Sequence, residues 1–229
     1  MLRPTARFLA VSALVCAGAA CQGGTGEVVM DDALDITAIR IQAPGGTIQV
    51  HALDTAANED GGVHGTHTLG GIGARGRAEV SIDHQGVLSI VAPCVPVVPC
   101  RLDLTLTVPP TLPVTVDLGS GTVRLDGVAE TDVRIDRGDV QIHDGYTSVV
   151  RIGQGNLTAA LHADASLRAV VARGDVDVSV PPGGWQITTA AAQLRLAGVS
   201  LDRQAHGVLD VHAPGGSVLL AGNDDLVRR

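Results

Sequence analysis

One pattern recurs in four ten-residue segments of the chain: VDLGSGTVRL (116–125), VRIDRGDVQI (133–142), VRIGQGNLTA (150–159) and AVVARGDVDV (169–178). Each segment has a glycine at its sixth position, and these glycines follow one another after 17, 17 and 19 residues. Apolar and polar residues alternate on both sides of the glycine. An alternation with period two predicts two β-strands with one buried and one solvated face, joined by a tight turn at the glycine.

Two further segments continue the pattern, with Ala192 in the place of the glycine in one and Gly216 in the other. Two residues after the six anchors, every position is apolar: Val123, Val140, Leu157, Val176, Leu194 and Val218. One residue after the anchors, every position is polar: Thr122, Asp139, Asn156, Asp175, Gln193 and Ser217. We therefore predict that the first row points inward and the second outward. The glycine is expected where the turn needs a positive φ or a close approach to the next unit.

A single glycine unit cannot bury its apolar face alone, so the units are expected to stack on one another. The predicted fold is all-β, a single-chain β-solenoid with glycine-anchored coils of about 17–19 residues. Composition agrees with this prediction, because the chain is 45% hydrophobic but 1% aromatic and contains 29 glycines. Stacked coils place equivalent aliphatic side chains on one another, and such rows pack without aromatic residues.

The first half of the chain is less regular but carries related strand signals. The segment IRIQAPGGTIQVHAL (39–53) matches the glycine unit around Gly46. AEVSIDHQGVLSIVAP (78–93) predicts a hairpin that turns near residues 84–86, and RLDLTLTVPP (101–110) predicts a strand. Between the first two of these lies a glycine-rich segment, residues 58–77, which we expect to be a mobile loop.

The amino terminus has the pattern of a secretory signal peptide over residues 1–20, with two arginines followed by an apolar stretch. Its small residues end in Gly18-Ala19-Ala20-Cys21, which resembles the lipobox of bacterial lipoproteins and implies lipidation of Cys21. Cleavage at an ordinary signal-peptidase site after Ala19 is the alternative, and the mature protein would then be secreted. We divide the remainder into a flexible tether (21–34), a β-strand repeat domain (35–224) and a C-terminal tail (225–229).

Charge disfavours one class of protein, and hydropathy excludes another. The formal net charge is −8 and the sequence has no lysine, which disfavours a nucleic-acid-binding protein. The longest largely apolar run, residues 8–20, is too short to cross a membrane, which takes about 20 residues. A multi-span membrane protein is therefore excluded.

Cys94 and Cys100 flank a short loop with two prolines, APCVPVVPC, in a chain with an export signal. We predict a disulfide between them, because export leads to an oxidising compartment. A metal site is the alternative, but no third and fourth ligand stands at a suitable spacing.

The stretch LTVPPTLPVTVDLGSGTVRLDGV (106–128), followed by the glycine units, resembles the bacterial putative-adhesin family of β-strand repeat proteins. The resemblance extends over about residues 36–222 and departs from the family at Ala192 and at the insert between the two cysteines. It implies a single-chain β-helical domain on an exported or envelope-anchored protein. The family has no agreed catalytic residues to transfer. The lipoprotein resemblance, with Gln22 after the cysteine, implies the outer membrane.

The outward row Asp139, Asn156 and Asp175 is the candidate surface site. The strand spacing places the two carboxylates about 9–10 Å apart in successive coils. Contact with a divalent cation or a sugar, or a glycosidase-like carboxylate pair, is one interpretation. A solvated polar ladder is the other, and we prefer it. The same positions contain Arg-Gly-Asp twice, at 137–139 and 173–175, and the repeat explains both occurrences.

Two other motifs do not fit the chemistry that they suggest. Residues 71–76 match G-x-G-x-x-G, but a strand is expected after them instead of the helix that a dinucleotide site needs. His64 and His67 lie near Glu59 and Asp60, but a mobile loop would hold a metal poorly. We predict no cofactor and no metal.

The leading functional hypothesis is a non-enzymatic, lipid-anchored envelope protein whose solenoid surface serves adhesion or the docking of an envelope partner, a protein or a glycan. An alternative is a β-helix enzyme acting on polysaccharide, which needs a groove lined by acids and arginine. Asp117, Arg134 and Arg151 share one row and keep that alternative open. A third hypothesis is an envelope-stress sensor or partner lipoprotein.

Overall fold

The structure, a computed structural model, describes residues 24–30, 36–53, 62–95 and 98–222. The signal peptide, Cys21 and the last seven residues lie outside these ranges. Within them the chain is all-β and forms fourteen strands of one mixed sheet, and none of the described residues forms a membrane-spanning helix. The strands are β1 (Thr25–Met30), β2 (Ala38–Ala43), β3 (Gly46–Ala52), β4 (Val63–Gly70), β5 (Glu79–Ile82), β6 (Val87–Val91), β7 (Arg101–Val108), β8 (Val114–Asp126), β9 (Glu130–Gln154), β10 (Leu157–Val171), β11 (Val176–Val180), β12 (Gly184–Ala197), β13 (Ser200–Leu201) and β14 (Gly207–Gly222).

The glycine units pair in parallel, each equivalent position beside its counterpart. Gly121 of β8 lies opposite Gly138 of β9, and Val140 of β9 lies opposite Leu157 of β10. Leu157 in turn lies opposite Val176 of β11. The offsets between partners equal the 17- and 19-residue steps in the sequence. The register that the sequence predicted for these units is the observed one.

The alternating burial of the strands agrees with the predicted inward and outward rows. Along β8 the burial pattern reads buried, exposed, buried, exposed, buried from Val114, and the inward residues of β8 to β11 belong to the hydrophobic core. The exceptions lie in β12, where Leu194 is exposed although its row is buried in every other unit.

The order of the strands in the sheet differs from their order in the chain. The last unit, in β14, lies between β11 and β12, so Val218 pairs with Val176 on one side and with Leu194 on the other. The unit with Ala192 is therefore at the end of the series. Similarly, β3, which contains Gly46, lies between β7 and β8.

We expected the glycine-rich segment 58–77 to be a loop, but part of it forms a strand. Its residues Val63–Gly70 form β4, which pairs antiparallel with β7 and with β1. Strand β1, Thr25–Met30, also falls within the expected tether, so that part of the tether is a paired strand. The predicted hairpin of β5 and β6 is confirmed by their antiparallel pairing.

Glycine permits β4 to pack closely against the strand on each side of it. A Cβ atom at Gly65 would overlap the carbonyl oxygen of Thr105 in β7. A Cβ atom at Gly26 of β1 would overlap the imidazole of His67. Here glycine marks close packing within a sheet, while the sequence pattern suggested only flexibility.

Candidate functional site: the glycine column and its polar ladder

The anchors of the units form a column of backbone contacts. Five of its glycines, Gly46, Gly121, Gly138, Gly155 and Gly174, have φ between 133° and 143°. A Cβ atom built on each glycine from Gly121 onward, including Gly216, would overlap the carbonyl oxygen of the glycine in the adjacent strand. Positive φ and close approach, which the sequence offered as alternatives, thus occur together at most anchors.

The outward row beside this column is a continuous series of hydrogen bonds between strands. The backbone N–H and the side-chain Nδ2 of Asn156 donate to Oδ1 of Asp139, at 2.9 and 3.0 Å. The N–H of Asp175 donates to Oδ1 of Asn156 at 3.0 Å. The N–H and the hydroxyl of Ser217 donate to Oδ1 of Asp175, at 2.9 and 2.7 Å. We call Asp139, Asn156, Asp175 and Ser217 the polar ladder.

The electrostatics of the ladder follow from these bonds. Hydrogen bonds from the hydroxyl and the backbone N–H of Ser217 lower the pKa of Asp175, because they stabilise its ionised form. An equivalent contact lies nearer the other end of the row, where the Thr47 N–H donates to Oδ1 of Asp103 at 3.1 Å. Partial burial opposes ionisation of Asp103, but hydrogen bonds from Arg101 and Thr47 and the charge of Arg101 hold its pKa below the usual value.

The ladder side chains that the sequence singled out are thus brought together, and one oxygen of each accepts a bond from the next strand. This arrangement connects strands. Within the described residues no group of three or more histidine, cysteine or acidic side chains is placed to hold a metal ion. The acids of both Arg-Gly-Asp sequences, Asp139 and Asp175, belong to the ladder, and their glycines belong to the glycine column.

The row proposed for a polysaccharide enzyme is arranged differently. Asp117 lies directly opposite Arg134 in the pairing of β8 with β9. Arg151 instead forms an ion pair with Asp132, with Nη1 at 3.0 Å from Oδ1, and both side chains are largely exposed. Arg151 is therefore engaged by an acid outside the proposed row.

The two histidines of β4 point to opposite faces of the strand. His67 is 4% exposed, lies opposite Gly26 of β1, and has no hydrogen-bond partner for either ring nitrogen among the described residues. Burial, assisted by the charge of Arg77, lowers its pKa. His64 is only partly buried. The two rings do not converge on one point, and Glu59 and Asp60 lie outside the described residues.

The remaining predicted features fall near β4 and β7. The disulfide between Cys94 and Cys100 is confirmed. The G-x-G-x-x-G segment, residues 71–76, forms the turn after β4, and Ala74 within it makes an antiparallel bridge to Cys94. The next regular element is strand β5, as the sequence indicated.

Three further features were not predicted from the sequence. The hydroxyls of Thr131 and Ser148 are buried and share a hydrogen bond of 3.0 Å, and their spacing of 17 residues is the repeat period. The rings of Tyr146 and His162 stack with centroids 4.4 Å apart. A groove of about 480 Å³ crosses β11, β14 and β12, with Asp177 and Arg195 among its lining residues. The period could have revealed the first feature. The groove depends on the strand order, which the period does not encode.

No protein-family model matches the chain, and no curated protein matches it significantly in sequence. Solved structures do resemble it. A putative cell adhesion protein from Clostridium sporogenes matches 88% of this chain and 100% of its own, with 10% identity and a TM-score of 0.51. A putative adhesin from Bacteroides fragilis matches 88% of this chain and 97% of its own, with 12% identity and a TM-score of 0.39. At such identities, the similarity to the Clostridium protein shows a shared fold.

Proposed function

We propose that this protein is a lipid-anchored cell-envelope protein in which the glycine units stack as coils of a β-solenoid and present a surface for adhesion or for docking an envelope partner. The observation that carries the proposal is the glycine column with its polar ladder. Backbone contact and side-chain hydrogen bonds join each unit to the next, which gives a stiff, regular surface. A fold shared with a putative cell adhesion protein supports the same reading.

The proposal is non-enzymatic because the best-placed outward acids already have partners. Asp139 and Asp175 accept hydrogen bonds from the neighbouring strand. The lowered pKa of Asp175 suits a structural acceptor and opposes the protonated form that a general acid needs. Arg151 is likewise paired with Asp132.

Binding of the purified protein to bacterial and host cells and to a glycan array tests the adhesive function. We expect saturable binding to cells or to a defined set of glycans. The matched control is Val140→Asp, which places a charge at a fully buried position of the inward row and is expected to unfold the strands and abolish binding. Absence of binding to cells and glycans, with the protein folded, would contradict adhesion.

The lipid anchor is proposed from the sequence around Cys21. Replacing this cysteine removes the thiol that is acylated in lipoproteins, so Cys21→Ser is expected to move the protein from the membrane to the soluble fraction. Cell fractionation followed by immunoblotting measures the change, with Cys94→Ser as the control that leaves the anchor intact. Unchanged membrane association of Cys21→Ser would refute lipidation.

A further inference from the structure

Strand β12 is an edge of the sheet. Among the described residues it pairs along its length with β14, while on its other side only Gly184 and Trp185 pair, with β13. The outer backbone of residues 186–197 therefore presents N–H and C=O groups that no other described strand pairs with. Long edges of this kind accept another strand unless they are covered or blocked by charge. The only charged side chain on β12 is that of Arg195.

The apolar core is also open at this edge. Leu194 and Leu196 lie opposite Val218 and Leu220 of β14, so they occupy the inward row. Val218 and Leu220 are 1% and 0% exposed, whereas Leu194 and Leu196 are 46% and 45% exposed. Nothing else in the described chain covers these two leucines, so the end of the core faces solvent.

The opposite end of the sheet is different. Strands β1 and β5 are the edges there, and the inward residue Val28 of β1 is only 2% exposed. Strand β4 pairs antiparallel with β7 on one side and with β1 on the other, and this antiparallel pairing ends the parallel series. A stack of repeats normally needs such a cap at each end to remain soluble. Among the residues that the structure describes, the cap is present at the β1 end and none is found at the β12 end.

We propose that a second copy of this chain covers the open end, with β12 of each copy pairing antiparallel about a two-fold axis. Centred on Leu194, this pairing puts the two Leu194 side chains opposite each other and Arg195 opposite Gln193 of the second copy. No two arginines then face each other, and the two apolar cores become continuous. The contact uses the same surface on both copies, so it closes at a dimer.

In this dimer the adhesion partner is a second copy of the same protein. This extension from a dimer to adhesion rests on the proposed function. The N-terminal strand β1 and strand β12 lie at opposite ends of the sheet order. An anchor at the amino terminus would leave β12 at the end farther from the membrane. Contact between two β12 edges would then join proteins on neighbouring cells.

Sedimentation velocity of the purified protein over a concentration series tests the association. We expect a reversible monomer–dimer equilibrium, and at least a tenfold weaker association for the double variant Leu194→Lys/Leu196→Lys. The matched control is Val170→Lys. Val170 is 42% exposed, but its strand β10 pairs on both sides, so dimerisation should be unchanged.

Three results would overturn the inference. A protein that stays monomeric at all concentrations would show that something other than a second copy covers the β12 edge. If Leu194→Lys/Leu196→Lys then also melts at a lower temperature than the wild type, another part of the same chain covers the edge. Oligomers that grow beyond two copies would exclude a closed dimer. Equal weakening by Val170→Lys would place the contact elsewhere.

A bead assay separates this inference from the proposed function. Beads coated through the amino terminus are expected to aggregate with the wild-type protein and to stay dispersed with Leu194→Lys/Leu196→Lys. A dimer in solution without bead aggregation, and without binding to cells, would leave the inference standing and contradict adhesion. Binding to cells by a strictly monomeric protein would support adhesion and contradict the inferred dimer.

Discussion

At the scale of single residues, glycine at the anchors answers two separate constraints. At Gly155 the backbone has φ of 143°, and a Cβ atom would overlap the carbonyl oxygen of Gly138. At Gly183 φ is 149°, but no described atom beyond its own chain neighbours lies within 4 Å of the Cβ position. A comparison of Gly155 with Gly183 therefore separates the free-energy cost of an unusual backbone conformation from the cost of a steric overlap.

We expect Gly155→Ala to lower the free energy of unfolding by at least about 2 kcal/mol more than Gly183→Ala. Both alanines suffer the unfavourable φ, but only the first forces two backbones apart. Urea unfolding followed by circular dichroism measures the difference. Equal effects of the two substitutions would show that the backbone contact in the column is not needed.

His67 is a second residue whose role is visible only in its surroundings. Its imidazole fills the space over Gly26 and is buried with no hydrogen bond to any described residue, so its neutral form is favoured in the folded state. The unfolded chain then binds more protons than the folded chain, and stability rises with pH in that range. The destabilisation is complete below the lowered pKa of the folded state and vanishes well above the ordinary value of 6.5.

Between pH 8 and pH 5 the wild-type protein is therefore expected to lose more stability than His67→Leu. Urea unfolding at both pH values gives the comparison. An exposed histidine, His143, provides the control, because His143→Leu retains His67 and should follow the wild type. A wild-type pH dependence that persists in His67→Leu would show that another group is responsible.

At the scale of elements, the polar ladder connects strands that are already paired through their backbones. Asn156 is its central member, because it donates to Asp139 and accepts from Asp175. The sequence placed these three residues in one outward row but left a ligand site and a solvated ladder as alternatives. The hydrogen bonds favour a third role, in which each side chain fastens the turn of the next unit.

Asn156→Ala is expected to lower the free energy of unfolding by about 1 kcal/mol, since it removes both side-chain hydrogen bonds of this residue. Thr158→Ala alters another exposed outward side chain of the same region and should change stability by less than about 0.5 kcal/mol. Thermal or urea unfolding distinguishes the two. Indistinguishable variants would mean that the ladder contributes no stability.

At the scale of the whole molecule, the strand order determines which members of a row are buried. Val218 and Leu194 occupy the same row and lie opposite each other, but Val218 has a strand on both sides and Leu194 on one. The repeat pattern assigns both the same inward role. Their surroundings differ because the last unit is inserted between two earlier ones.

Val218→Asp is therefore expected to destabilise the protein by more than about 3 kcal/mol, because it buries a charge without a partner. Leu194→Asp should cost less than about 1 kcal/mol in dilute protein, since its side chain reaches solvent. Hydrogen exchange of β11 and β12 amides reports the same contrast. Similar losses for both variants would contradict the observed strand order.

The sequence by itself determined the features that depend on neighbouring residues and on the period. Alternation gave the strands and their faces, equal spacing gave the parallel register of Val123, Val140 and Leu157, and two cysteines in a short loop gave the disulfide. These follow from local geometry, because side chains alternate along a strand and equal steps align equivalent positions.

Only the tertiary structure decided the position of β14, the pairing of the glycine-rich strand β4, and the open end at β12. Every unit offers the same apolar row and the same backbone groups, so local sequence does not distinguish one neighbour from another. At Gly65 and Gly26, glycine serves close packing against partners distant in the sequence. The physical reason is that alternative strand orders use long-range contacts of similar local energy. Only the packing of the whole sheet determines which of these orders forms.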